Sequence, residues 1–379
     1  MYLIILLGIV SLFGDMTYEG ARSVTGPYLA KLGASAGVVG FVAGIGEFIG
    51  YALRLASGYF VDRTKAYWLM TFIGYGLLLS IPFLAFADYW KVAVILIILE
   101  RMGKAIRSPA RDTILSYATK KVGRGWGFGI HEALDQVGAI VGPIIFFFVF
   151  LSTGSYREGF TILWIPALLC LATLVIARRK APSPQELEAP EERGEQNNQR
   201  KLPRVFWLYS LFTLLSVAGF ANFQLISYHM YAQSIVPDAQ IPIFYAVAMG
   251  VDALAALLIG KTYDKIGLIS LLAVPLLTLP IPFLAFSYNY GLVLISIVLW
   301  GVVMGIQETI MRAAIADLTP IGRRGFAYGI FNTAYGAGWF LGGVVMGLLY
   351  DISINYLILF VILMELISIP VFFMVRRAA

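Results

Sequence analysis

Two kinds of side chain are nearly missing from this chain. Its 379 residues include one cysteine, Cys170, and two histidines, His131 and His229. A lone cysteine inside an apolar run excludes a disulfide framework and any cysteine-based metal site. Charge is thin as well: 13% of residues are Asp, Glu, Lys or Arg, against 59% hydrophobic. No GxxxxGK[ST] run exists to cradle phosphates, so ATP is not expected as an energy source within this chain. The glycine-rich stretch GRGWGFG opens an apolar segment and has a counterpart later in the chain, which points to helix packing. No nucleophile stands beside a base in a pattern that supports catalysis. An enzyme is therefore not expected, nor a cofactor, nor a dedicated metal site.

Apolar runs of about 20 residues fill the sequence instead, each long enough for a helix to cross a hydrocarbon core about 30 Å thick. Twelve spans are expected, near 3–30, 36–60, 67–88, 92–117, 125–152, 159–178, 204–232, 241–262, 268–287, 290–317, 325–350 and 353–375. The first run passes through Asp15, Glu19 and Arg22 without a small-residue cleavage site, so it reads as a retained span. Residues 178–204 (RRKAPSPQELEAPEERGEQNNQRKLPR) are rich in Pro, Glu, Gln and Arg and cannot bury a core. They read as a linker. The expected architecture is all-α and membrane-embedded: twelve transmembrane helices in two pseudo-symmetric bundles, residues 1–177 and 205–379, of six helices each.

The placement of positive charge sets the orientation. Eighteen of the 28 lysines and arginines fall on the side of the linker and both termini, while the opposite loops hold Lys31, Lys91 and Arg157. Linker and termini are thus expected in the cytoplasm, with the chain in the plasma membrane. The formal charge of +6 is this topology signal, and no nucleic-acid partner is expected. The halves also repeat. RGWGFGIHEALDQVGAIVGP, from Arg124, matches RGFAYGIFNTAYGAGWFLGG, from Arg324, at a constant offset, with Arg, Gly, Gly, Ile, Gly and Gly in register. A second echo pairs GYFVDR, Gly58 to Arg63, with GKTYDK, Gly260 to Lys265, which includes Asp264. Matched repeats in two halves are a mark of transporter folds.

Against this apolar background the charges in residues 100–143 stand out. A charge at the centre of a bilayer costs at least about 2.5–3.5 kcal/mol, so such residues face a partner or a wet cavity. In span one, Asp15, Glu19 and Arg22 share a helix face. Either Asp15 or Glu19 carries a proton, or Glu19 and Arg22 form an internal ion pair. Span two sets Gly37, Gly40, Gly44, Glu47, Tyr51, Arg54 and Gly58 along one stripe, suited to close packing, with Glu47 able to pair with Arg54 or Arg101. In span four, Glu100, Lys104, Arg107 and Arg111 form one stripe, while Arg101, Ser108 and Asp112 lie on another. Arg111 and Asp112 approach the cytoplasmic end near Asp62 and fit a charge latch. Span five aligns His131, Asp135, Gly138 and Gly142. Three readings of His131 and Asp135 stay open: a proton relay, a divalent-metal pair, or a plain hydrogen-bonded interface. Glu132 neighbours them. The second half is poorer in charge, and its candidates are Asn222, Gln224, Tyr228, Asp252 and Glu308.

Several of these residues resemble the major facilitator superfamily. Gly58-x-x-x-Asp62-Arg63 is similar to its loop motif, without the glycine and second arginine that usually follow. Gly138-x-x-x-Gly142-Pro143 resembles the glycine–proline motif of its antiporter branches, and Arg101 lies where many proton-coupled members carry arginine. The run GKxIRxxxRD, followed by RG, GxH and DxxGAxxGP, looks like a prokaryotic group of drug or metal-resistance exporters. The resemblance implies alternating access, with two six-helix halves rocking about a midplane site. It implies proton-coupled export, by antiport, of a small organic molecule; a divalent-metal exporter using Asp15, His131 and Asp135, or a proton-coupled nutrient symporter, are the alternatives. On that reading Asp15, Glu19, His131 and Asp135 couple protons. Arg22, Glu47, Arg101, Glu132, Asn222, Gln224, Tyr228, Asp252 and Glu308 bind substrate. Gly58, Asp62, Arg63, Arg111, Asp112, Gly138, Gly142, Pro143 and Asp264 gate. The expected partners are a small-molecule substrate, protons and the lipid bilayer, and a single-chain bundle of this size is expected to work as a monomer.

Overall fold

The computed structural model describes residues 1–119, 124–184, 202–319 and 324–379. Most of the expected linker (185–201) lies outside them, as do Lys120, Lys121 and Arg323, three more of the eighteen basic residues counted on its side of the membrane. Among the described residues there is no strand, and the helices fall into twelve spans. The first is α1 (Tyr2–Arg22) with α2 (Thr25–Lys31), followed by α3 (Ala36–Thr64) and then α4 (Tyr67–Gly76), which continues in 3-10 turns to Phe86. Next come α5 (Trp90–Thr119), α6 (Arg124–Thr153), and α7 (Tyr156–Ile162) with α8 (Trp164–Lys180). The seventh span is α9 (Arg204–Ala218) with α10 (Phe223–Ala232), and the eighth is α11 (Ile241–Ile266). The ninth joins a 3-10 segment from Gly267 to α12 (Ala273–Thr278) and α13 (Ile281–Ala285). The last three are α14 (Tyr290–Leu318), α15 (Arg324–Ile352) and α16 (Ile354–Ala378).

By length and apolarity alone, 10 helical stretches qualify as spans among the described residues. The difference from twelve has a simple origin. One stretch, Asp238–Ala285, is 48 residues long and reverses at Gly267, so it supplies two. The other is α5, whose ionisable residues keep it from qualifying as apolar although its 30 residues suffice in length.

The repeats read in the sequence have structural counterparts. Spans two and eight both end on a left-handed residue, Lys65 at φ 55° and Gly267 at φ 61°. Glycine takes that conformation freely, whereas lysine adopts it only under local constraint. The echoing loop motifs therefore end in the same chain reversal. Within each half the first helix is held by equivalent neighbours: α1 packs on α6 and α8, and α9 packs on α15 and α16. The contact points also match. A methyl group at Gly138 or Gly142 would strike the carbonyl oxygens of Leu12 and Met16 on α1, and one at Gly338 or Gly342 those of Leu214 and Ala218 on α9. Small residues here let two helix backbones approach directly.

The described residues group into two compact units. One takes in Met1–Leu32, Ala52–Glu192 and Ala239–Ala246; the other takes in Gly33–Tyr51, Arg193–Asp238 and Val247–Ala379. The start of α3 thus belongs with α15. Gly37, Gly40 and Gly44 lie against Asp351, Gly343 and Phe340, as the close-packing reading of that stripe expected. Asp351 fixes this end of α3 by accepting hydrogen bonds from the Ala36 amide at 3.0 Å and the Gly37 amide at 2.8 Å. A carboxylate there satisfies two otherwise unpaired donors and complements the positive end of the helix dipole.

Candidate functional site

The polar heart of the first unit forms where α1 meets α5, α6 and the first turns of α11. Helical spacing puts Ser11, Asp15, Tyr18, Glu19 and Arg22 along the buried side of α1. Glu19 is the hub. Its carboxylate accepts a 2.6 Å hydrogen bond from the Tyr245 hydroxyl, lies 3.7 Å from the Arg22 guanidinium and 4.0 Å from Lys104 Nζ. The expected Glu19–Arg22 pair is therefore present, inside a wider network. Tyr18 receives cations on its ring, with Lys104 Nζ at 4.2 Å and the Arg101 guanidinium at 4.4 Å from the centroid. Such contacts are worth about 0.5–2 kcal/mol, more when water is excluded.

A second acid, Glu100, is 1% exposed and holds two cations, Arg107 at 3.6 Å and Arg101 at 3.8 Å. At this separation a pair gains roughly 4 kcal/mol at an effective dielectric of 20, about what burying one charge costs. Two cations on one acid tip the balance towards retention. Arg107 also donates to the Gly74 carbonyl oxygen at 3.5 Å and lies over the Tyr75 ring, 4.7 Å from its centroid.

Asp15 is buried among Asp135, Lys104, Glu19 and Arg107. Two acids of α1 and one of α6 thus share Lys104, with Arg22 beside Glu19, Arg107 beside Asp15 and Arg111 beside Asp135. His131 is buried, and its charged neighbours are Arg111, Asp135 and Asp112. Its Nε2 and one oxygen of Asp135 have no hydrogen-bond partner among the described residues. No group of three or more His, Cys, Asp or Glu side chains among the described residues is arranged to hold a metal ion.

Arg111 pairs with its neighbour Asp112 and with α1. It donates to Asp112 at 2.9 Å and to the Ser11 hydroxyl at 2.8 Å, because α5 presents it to α1. Asp62 and Arg63 are exposed at the end of α3, where Arg63 covers the Tyr59 ring. Gly58 sits against Pro109 of α5, and Asp264 is exposed at the end of α11. Glu132 lies on the exposed face of α6, one position away from buried His131. Pro143 is buried beside Gly142.

The candidates of the second unit are more dispersed. Asn222 caps α10, its side-chain oxygen accepting from the Leu225 amide at 2.8 Å. Gln224 is buried one residue into that helix, and Tyr228 stands edge-on to Tyr350. Asp252 of α11 is buried beside Gly305 of α14. Glu308 is half-buried next to Gln307, which accepts a hydrogen bond from the Tyr335 hydroxyl at 3.1 Å. Glu47 is half-buried on α3. Both first helices are interrupted: α1 gives way to α2 at Ser23 and Val24, and α9 to α10 over residues 219–222. Interrupted helices around polar groups are the usual construction of transporter binding sites.

Sequence reasoning passed over Tyr18, Tyr245, Ser11 and Tyr75. Tyr18 had a signal, since it adjoins Glu19 on a helix already singled out. Tyr245 had none, being one aromatic in an apolar run 226 residues from its partner.

A twelve-span bundle with repeated halves, interrupted first helices and a buried charge network is the build of a membrane transporter. The family model of the Major Facilitator Superfamily matches residues 5–306 and 230–379, and the chain belongs to that superfamily. An uncharacterized protein of Mycobacterium tuberculosis (strain ATCC 25618 / H37Rv) is 43% identical over 374 residues, covering 97% of this chain and 91% of its own. An uncharacterized MFS-type transporter of Methanocaldococcus jannaschii is 28% identical over 376 residues, covering 96% and 92%. Among solved structures, an inward-facing, unoccupied bacterial homolog of the human lysosomal transporter Spinster superposes with TM-score 0.77 at 13% identity, covering 100% and 97%. The chain is thus a transporter, not an enzyme, with the fold expected from its sequence.

Proposed function

We propose that the chain is a proton-coupled exporter of a small organic molecule, an antiporter working by alternating access. One observation supports this above the rest: Glu19 is shared by Tyr245, Arg22 and Lys104, while Asp15 and Asp135 lie within the same field. Asp15, buried beside the like charges of Asp135 and Glu19, is the acid that a proton would satisfy, and the proton's arrival or departure re-sorts the ion pairs. A proton then biases the carrier because the two states bind it with different affinity. In this scheme Asp15, Glu19, Asp135 and His131 handle the proton, and Arg22, Glu47, Arg101, Glu132, Asn222, Gln224, Tyr228, Asp252 and Glu308 meet the cargo. The loop residues Gly58, Asp62, Arg63 and Asp264, the Arg111–Asp112 pair, and Gly138, Gly142 and Pro143 govern the exchange of states. Residues 1–177 and 205–379 act as the two moving bodies, joined by 178–204, in a plasma-membrane monomer with cytoplasmic termini.

The test is transport into proteoliposomes loaded with a pH-sensitive dye, after a ligand has been found by thermal shift. Addition of substrate moves lumenal pH in the antiport direction, and Asp15→Asn or Glu19→Gln abolishes the movement. Transport with no pH change overturns proton coupling. A pH change of opposite sign identifies uptake by symport, and a response to divalent metal alone identifies a metal cargo.

A further inference from the structure

One intramembrane acid has no part in that network. Glu365, in the middle of α16, is 0% exposed. Its Oε2 lies 3.4 Å from the Ser216 hydroxyl of α9 and 3.4 Å from that of Ser368, one turn along α16. Its Oε1 has no hydrogen-bond partner among the described residues. That oxygen rests on Gly219, where a Cβ would come within 2.5 Å of it. Gly219 is the C-cap of α9, at the start of the break that ends with Asn222 capping α10. A hydrogen in place of a Cβ leaves room for that oxygen.

Among the described residues the surroundings hold no counter-ion. The titratable groups of α9 are Arg204 and Tyr209; those described on α15 are Tyr328, Tyr335, Tyr350 and Asp351; the stretch 267–285 has none. None of them forms an ion pair or hydrogen bond with Glu365 among the described residues. A carboxylate in such a site would bear a solvation penalty that two long hydroxyl contacts do not repay. The hydroxyls themselves add an argument. A serine has one proton to give, and that of Ser368 goes to the Glu365 main-chain carbonyl at 2.8 Å. Its contact with Oε2 at 3.4 Å is the weaker share of that one proton and does little for a charged carboxylate.

We infer that Glu365, Ser216, Ser368 and Gly219 form a proton-binding site in the second unit, separate from the acids of α1 and α6 and occupied in this arrangement. Loss of the proton leaves a charge that only water can satisfy, and water reaches it when the 219–222 break moves off α16. Proton occupancy and the position of the seventh-span break are thereby linked. The inference stands whether or not the first cluster couples protons.

The experiment uses the full-length protein in lipid nanodiscs at neutral pH. The infrared spectrum shows a protonated-carboxyl C=O band that Glu365→Gln removes, and the variant melts no lower than the wild type, since a neutral amide replaces a neutral acid. Ser216→Ala keeps the carboxyl and moves the same band to higher wavenumber, which preserves the test if the glutamine variant misfolds. Raising the pH speeds amide exchange at 219–222, after correction for intrinsic rates, in the wild type but not in Glu365→Gln. A band unaffected by either substitution, or equal exchange in both proteins, overturns the site.

Discussion

At the scale of single residues the first unit is governed by acids shared between cations. Glu100 serves both Arg101 and Arg107 while almost fully buried. Removing it takes the nearest acid away from two guanidinium groups, so Glu100→Ala is expected to destabilise the protein by about 3–5 kcal/mol. The measurement is chemical or thermal unfolding of the purified variant. Glu100→Gln should lose less, because it keeps the volume and a polar oxygen facing the two guanidinium groups. At Glu19, Tyr245→Phe removes one hydrogen bond to a charged group, a loss of about 1.5–3 kcal/mol on the usual scale. Since the other partners of Glu19 remain, folding should survive and any proton-linked transport should change its pH profile.

Elements meet here through glycines and one carboxylate. Gly142 of α6 and Gly342 of α15 each sit on a backbone carbonyl of the first helix of their half. Overpacking costs typically about 1–3 kcal/mol where side chains can adjust. Here the obstacle is backbone, so Gly142→Leu and Gly342→Leu should exceed that range and lower the yield of monodisperse protein on size-exclusion chromatography. Equal tolerance of leucine at both sites would contradict the packing. The Asp351 contact with the start of α3 resembles an N-cap supplied from another helix. Asp351→Ala should cost about 0.5–2 kcal/mol in thermal unfolding, in line with loss of a cap, and Asp351→Asn less.

For the molecule as a whole, the superfamily assignment predicts a ligand that stabilises the folded state. At a free concentration a hundredfold above Kd, one site adds about 2.7 kcal/mol. A thermal-shift screen against organic cations, organic anions, sugars and divalent metals should therefore find one class that raises Tm. Variants at Asp15, Glu19 or Arg101 should blunt that rise if the first-unit network meets the cargo. A rise that persists undiminished in all three variants would move the cargo site elsewhere.

How much was legible beforehand depended on whether the physics was local. Span number, the repeated halves and the small-residue stripes follow from hydrophobic length and from spacings within one helix, and both were plain in the sequence. So was the presence of charge in α1, α5 and α6, because an ion inside an apolar run is conspicuous. The pairing of those charges was decided by tertiary structure: Arg111 reached Ser11 of α1 as well as its neighbour Asp112, and Tyr245 reached Glu19 across 226 residues. Neutralisation of a buried ion depends on which groups helix packing brings within a few ångströms, and sequence spacing contains no such distance. Glu365 illustrates the same limit. The sequence marks it as an acid in a span, and only the packing of α9 on α16 shows that it has two serines, a glycine and, among the described residues, no cation beside it.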